Sequence, residues 1–278
     1  MEEHFETKEI GNGDETLIVT SGIHGNEYES NLLVSEFLKI QPDNGKITFI
    51  NKINRKAYDK RKRFIDQDLN RVFPGDPNGN YEERIASHLL KKVEKADYLL
   101  DLHSFRMHSE VTVVCFETNN LAFSKSLLTK YIWLVKLDND FERRYQGTMA
   151  VELTKRGIPN ASLEMPSLDS IKPYHVNTAI QGYRNLLKKI GFLQGEPQES
   201  DPLLLRRKLG VSPASGILIP KKSIMEEVQK GEVIAEILTE DYEREPVKAF
   251  KDGILTQIIG REKVPEGFAI YGISELID

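Results

Sequence analysis

The residues best equipped for chemistry begin in the stretch Gly22-Ile23-His24-Gly25-Asn26-Glu27. A His and a Glu three residues apart are separated by one backbone turn and can point the same way. Imidazole plus carboxylate is the start of a His2Glu zinc site, which needs one further His from elsewhere in the chain. His103, in Asp101-Leu102-His103-Ser104, is the candidate. Three ligands from distant segments leave a fourth position for water, the catalytic rather than the structural arrangement. Glu164, in Leu163-Glu164-Met165-Pro166, taken alone reads as a surface or capping residue. Beside an activated water it is the group needed to accept a proton and return it. Asn70-Arg71 precedes the turn Phe73-Pro74-Gly75. Its polar residues can be ordinary caps. An amide beside an arginine fork also suits a carboxylate, which Arg grips with two parallel hydrogen bonds.

These side chains need strands whose ends lie side by side. Thr16–Thr20 is β-branched and apolar enough to be a buried strand, and Tyr28–Ile40 carries Leu32, Leu33, Phe37 and Ile40 at helical spacing. His24 and Glu27 therefore sit on a turn at a strand's carboxyl end, where open α/β sheets bind ligands. Further strands are expected at 47–50, 97–102, 111–116, 132–137 and 161–163, and helices at 81–95, 121–131, 147–156 and 176–190. Asp97–Leu102 brings His103 to the same kind of position as His24. The alternation implies an α/β fold with a mixed, mainly parallel sheet flanked by helices. A polar, turn-rich stretch then begins at Leu193 and reads as a linker, 193–209, after a catalytic domain at 1–192. Short strands separated by turns fill 210–278, a small C-terminal all-β barrel or sandwich. It looks like the barrel-sandwich of biotinyl and lipoyl domains. No Met-Lys-Met or Asp-Lys-Ala stands where a carrier lysine would be, so no carrier function is expected.

Composition narrows the class. At 278 residues, 39% hydrophobic and 29% charged, the chain is an ordinary globular one able to bury a large core. A net charge of −5 argues against a nucleic-acid partner. No apolar run approaches the roughly 18–20 residues that span a bilayer, so no membrane association is expected. The amino terminus Met1-Glu2-Glu3-His4 is acidic and has no signal-peptide apolar core. Cytoplasmic residence is the default. The single cysteine, Cys115, in an apolar strand, excludes a Cys-rich metal site and reads as a buried core residue. Seven basic residues (Lys52, Arg55, Lys56, Lys60, Arg61, Lys62 and Arg63) read chiefly as a solvated loop, and beside a cleft they would draw in an anionic substrate. Of the other histidines, His88 falls in a helix, His4 in the tail, and His108 and His175 in loops or helix starts.

Four segments together resemble the succinylglutamate desuccinylase/aspartoacylase family of the zinc carboxypeptidase superfamily: GIHGNE (22–27), RFIDQDLNRVFPG (63–75), DLHS (101–104) and LEMP (163–166). Their order matches the family over about residues 16–192, and the β-rich tail is similar to the family's second domain. The resemblance implies a zinc-carboxypeptidase-like fold and one Zn2+ per chain held by His24, Glu27 and His103. It implies that Asp68 orients His24 through its other ring nitrogen. Glu164 would be general base and then acid, Arg63 would polarise the scissile carbonyl, and Asn70 and Arg71 would hold the substrate carboxylate. The implied reaction is metal-assisted hydrolysis of a small N-acyl amino acid or related carboxylate-bearing amide. A metallocarboxypeptidase acting on short peptides and a non-catalytic metal-containing binding protein are the alternatives. The oligomeric state is open, a homo-oligomer included. The family often has Asn-Pro where Asn54-Arg55 stands here. Some members place a second substrate arginine upstream of Glu164, for which Arg143, Arg144 and Arg156 are the candidates.

Overall fold

A computed structural model describes residues 5–137, 145–260 and 262–277. His4, Arg143 and Arg144 lie outside the described residues. Apolar runs do form the strands expected: β2 (Thr16–Ser21), β3 (Lys46–Asn51), β4 (Tyr98–Ser104), β5 (Thr112–Phe116), β6 (Tyr131–Val135) and β7 (Asn160–Met165). They pair in the order β3-β2-β4-β7-β5-β6, parallel throughout except β7 against β5. β1 (Glu6–Gly11) adds an antiparallel edge strand that the sequence hides. It is polar and exposed nearly throughout, as an edge strand guarded against further pairing should be.

Helices cover both faces. α1 (Glu29–Phe37) and α6 (Pro173–Lys189) pack on one, where Phe37 stacks on Tyr183 with ring centres 4.0 Å apart. α3 (Tyr81–Val93) and α5 (Met149–Lys155) bury Ile85, Leu89, Val93, Met149 and Leu153 against the other. α3 opens with a reciprocal cap, the Asn80 side chain accepting from the Glu83 amide and the Glu83 side chain from the Asn80 amide. The helix expected over 121–131 is cut to α4 (Leu121–Lys125). The Ser126 hydroxyl donates back to the Phe123 carbonyl, and Leu128 takes φ +53°. Hydroxyl side chains there compete for backbone groups and end the helix.

The C-terminal strands do two things. β8 (Leu203–Val211) runs parallel to β6, and β15 (Ala269–Leu276), β13 (Gly253–Ile258) and β10 (Glu227–Val228) continue outward from it, giving one sheet of 11 strands. β9 (Gly216–Pro220), β11 (Val233–Leu238), β12 (Arg244–Lys248) and β14 (Lys263–Val264) form a second sheet of four. Residues 203–209, read from sequence as linker, are thus the strand that joins the tail to the main sheet. Among the described residues no helix is long and apolar enough to cross a membrane.

Candidate metal centre and active site

Pleat and register assemble most of the site. Asp101 and His103 are two apart on β4 and so share a face. β7 lies level with them, Ser162 opposite Asp101 and Glu164 opposite His103. On the other side Thr20 of β2 is level with Asp101. Continuing across the sheet, Val114 is level with Ser162, Trp133 with Val114, and Leu205 with Trp133. One sheet face therefore carries the histidine and glutamate at one end and an apolar floor beyond them.

The turn after β2 supplies the remaining donors. Gly22 has φ +74°, a conformation that favours glycine. Gly25 passes so close to α2 (Arg55–Asp59) that a Cβ would lie 2.2 Å from the Ala57 carbonyl carbon. Its amide donates to the Arg63 carbonyl at 3.1 Å. The Glu27 amide donates to the His24 carbonyl, closing the turn that faces both side chains one way. The loop from 63 to 68 is held by Glu82, fully buried on α3, which accepts from the amides of Ile65 and Asp66 and from the Asn54 side chain.

His24, Glu27 and His103 converge, with one potential ligand atom from each within 4.8 Å of the others. His24 Nδ1 lies 2.7 Å from Glu27 Oε1, and His103 Nδ1 lies 2.9 Å from Glu27 Oε2. The far ring nitrogens face carboxylates: His24 Nε2 to Asp68 at 3.0 Å and His103 Nε2 to Asp101 at 2.7 Å. A carboxylate only accepts, so a neutral ring can satisfy only one of the two it faces; a proton on Nε2 serves Asp68 and Asp101 and leaves Nδ1 toward Glu27. In neutral rings the Nδ1 lone pairs then point at the oxygens of Glu27, which is repulsive unless each ring gains a proton or the three groups share a cation. Burial opposes charge on Glu27, but the two imidazoles outweigh it and hold its carboxyl well below the usual range. Burial likewise opposes charge on His103, and Asp101 and Glu27 overcome it and raise its pKa well above the ordinary imidazole value. Four carboxylates (Glu27, Asp68, Asp101 and Glu164) stand around these two imidazoles, with the guanidinium of Arg63 in contact and those of Arg71 and Arg207 acting from farther off. A buried set this rich in acceptors fits a divalent cation.

Arg63 donates to Glu27 Oε1 and to Asp68 Oδ2, at 3.1 Å each. It ties the turn to the loop and lines the same cavity as Glu164, Asn70 and Arg71. That cavity holds about 320 Å3. The Asn70 side-chain oxygen Oδ1 accepts from the Met149 amide at the start of α5, and the Asn70 backbone carbonyl faces Arg71. The Arg71 guanidinium bonds the Asn70 carbonyl and lies 5.4 Å from the Tyr145 ring centre. Burial pushes the Glu164 carboxyl up to about 7, and among the described residues its side chain makes no hydrogen bond.

Sequence reasoning missed several neighbours. Asp101 stands in the Asp-Leu-His-Ser motif, and its two-residue spacing from His103 on a strand puts both on one face. Tyr145, Trp133, Phe105 and Arg207 line the cavity and carry no local signal. Arg156, a candidate second substrate arginine, instead pairs with Glu152 at 2.8 Å and is not among the cavity-lining residues. Of the basic cluster, Lys52 and Arg55 pair with Glu6, Arg55 also with Asp59, and Lys56 lies over the Tyr81 ring.

The structure is an α/β fold with a buried His–Glu–His cluster that could hold a metal ion, and comparison with known proteins gives the family. The succinylglutamate desuccinylase/aspartoacylase catalytic domain matches residues 13–190, and the chain belongs to this family. It is 24% identical, over 95% of its own length and 83% of the relative's, to the N-alpha-acetyl-L-2,4-diaminobutyric acid deacetylase of Halomonas elongata. The crystal structure of a succinylglutamate desuccinylase/aspartoacylase from Rhodobacter sphaeroides superposes with a TM-score of 0.85 at 21% identity, covering 99% of this chain and 89% of that one. A product-bound ectoine utilization protein from Ruegeria pomeroyi gives 0.84 at 21% identity, covering 96% and 88%. At these identities the two structures establish the shared fold.

Proposed function

We propose that this chain is a zinc-dependent hydrolase that cleaves the amide bond of a small N-acyl amino acid or a related carboxylate-bearing amide. The observation that carries the reading is the convergence of His24, Glu27 and His103 in one cavity with Glu164. Zinc, held by those three residues, would supply Lewis-acid activation of a water. Glu164 takes a proton from the attacking water and delivers it to the departing amine. Burial raises the pKa of its carboxyl and so makes it the readier to hold and hand on that proton. Arg63 donates to the acyl oxygen as negative charge develops there. Asn70 and Arg71 hold the substrate's carboxylate and so fix the amide against Glu164. Asp68 and Asp101 keep each imidazole in the tautomer that leaves Nδ1 for the metal.

Deacetylation by the Halomonas relative supports amide hydrolysis, and its named substrate is one member of the class proposed. The small cavity, walled on one side by β8, supports a small substrate over a peptide. A pure binding protein would have no use for Glu164. The test is metal analysis of protein purified without chelator, then zinc-loaded hydrolysis of a panel of N-acetyl, N-succinyl and N-formyl amino acids. Stoichiometric zinc and turnover of at least one N-acyl amino acid are expected. No zinc, and no activity on adding it, would refute the proposal.

A further inference from the structure

Arg207 lies on β8, outside every motif that marks the site. The parallel pairing of β6 with β8 sets Leu205 level with Trp133, and the pleat puts Arg207 on the same face two residues on. Its guanidinium carbon stands 3.8 Å from the Trp133 ring centre and 5.8 Å from that of Phe105. It donates to Gln257 Oε1 at 2.6 Å and, at a long 3.4 Å, toward the Tyr145 hydroxyl. Its hydrogen-bond and ring partners are neutral, and its charge acts on Glu164 only from beyond ion-pairing distance, favouring the ionised carboxylate. No carboxylate of the described residues lies within ion-pairing distance of it. The other cavity-lining cations are engaged: Arg63 with Glu27 and Asp68, Arg106 with Glu262 at 3.1 Å, and Arg71 beside Asn70. The cavity's own carboxylates, Glu27 and Glu164, already have work at the reaction centre.

A half-buried guanidinium without a counter-ion loses hydration that neutral partners replace only in part. Stacking on an indole holds it rigid, and the N–H groups not turned to Gln257 and Tyr145 remain to donate. We infer that Arg207 is a specificity-determining residue that receives a second carboxylate of the substrate, with Tyr145 standing between it and Arg71. This rests on the deacylase reading above. A substrate ending in an ammonium would meet Arg207 as a like charge and be disfavoured. The second carboxylate can come from a dicarboxylic acyl group or from an acidic side chain on the amine half.

Comparing kcat/KM of the zinc-loaded enzyme for N-succinyl-alanine, N-acetyl-glutamate, N-acetyl-alanine and N-acetyl-2,4-diaminobutyrate separates these sources. One of the first two should exceed N-acetyl-alanine by about 10- to 100-fold, the worth of a charge-assisted contact, and the diamino compound should fall below it. Arg207→Met should collapse that ratio, Arg207→Lys should keep part of it, and Arg207→Glu should turn the preference toward the diamino substrate. Trp133 is the only tryptophan in the chain, so its fluorescence reports the same site without turnover. Glutarate should shift its emission saturably in the wild type and not in Arg207→Met, and 1,4-butanediamine should shift neither. Equal substrate ratios in wild type and Arg207→Met overturn the inference and leave the deacylase reading standing. If no N-acyl amino acid is hydrolysed, the deacylase reading fails, and the glutarate titration decides on Arg207 alone. A response that is absent, or identical in the variant, overturns it. Should Arg207→Met not fold, Arg207→Lys and Arg207→Glu carry the same comparison.

Discussion

Replacing Asp101 by Asn and by Ala separates two things that a carboxylate does behind a metal-binding imidazole. Asp101 is fully buried. One oxygen faces His103 Nε2 at 2.7 Å and the other accepts from the Thr20 hydroxyl at 2.7 Å. An Asn side chain has one oxygen and one NH2 in the same places. The Thr20 hydroxyl can turn to accept from the NH2, whereas the His103 N–H can only donate. The amide oxygen therefore stays on His103, the tautomer is kept, and only the charge is lost. A charge-assisted hydrogen bond is worth about 1 kcal/mol more than a neutral one, so zinc affinity should weaken about fivefold to tenfold. Asp101→Ala leaves two buried donors unpartnered and frees His103 to rotate or to move its proton to Nδ1. The loss should then approach about 100-fold, the upper end for such supporting carboxylates. Competition titrations against a chelator of known zinc affinity measure both, with circular dichroism to confirm the fold. A folded Asp101→Ala protein with wild-type zinc affinity would refute the reasoning. So would an Asn variant weaker than the Ala variant.

Glu164→Gln should keep its zinc and lose at least about 100-fold in kcat, the usual contribution of a general base; metal content and steady-state kinetics together decide this. The Glu164 carboxyl, pushed up to about 7 by burial, must be ionised to accept a proton, so kcat/KM should fall as pH drops below neutrality. A bound cation moves the limb to lower pH, and a rate rising with acidity would refute the assignment. Gly25→Ala forces a methyl against the backbone of Ala57 and Tyr58, 2.2 Å from each of two atoms. It should destabilise the protein by about 1–3 kcal/mol, read from the denaturant midpoint, and weaken zinc binding as His24 shifts. An unchanged midpoint would show that the turn yields freely.

The parts of the site readable in the sequence are those at strand ends. Thr16–Thr20 and Asp97–Leu102 are apolar runs that stop at polar residues, so the ends that present His24, Glu27 and His103 were marked by composition alone. Period-two alternation carried further than it was used, since it already put Asp101 on the face of His103. The same holds for Glu82, which precedes Ile85, Ala86 and Leu89 at helical spacing and so belongs to the buried face of α3. β1 was hidden because an edge strand beside solvent needs no apolar pattern. The helix expected over 121–131 stops at Lys125 because its leucines keep the period while the Ser126 and Thr129 hydroxyls take backbone carbonyls.

Arg207 shows where local reading ends. In Leu205-Arg206-Arg207-Lys208-Leu209 three adjacent basic residues look like a solvated surface, and nothing in the segment distinguishes the middle one. The alternation places Leu205, Arg207 and Leu209 together and Arg206 and Lys208 opposite, but not which face meets the cavity. That is fixed by the pairing of Trp133 with Leu205, a contact between segments about 70 residues apart. A one-residue slip would have turned Arg206 and Lys208 inward. The guanidinium over Trp133 is thus a consequence of register. The strand that carries the tail into the main sheet is also the one that brings a cation to the cavity, so truncating the chain before β8 would remove both a wall of the site and its unpaired charge.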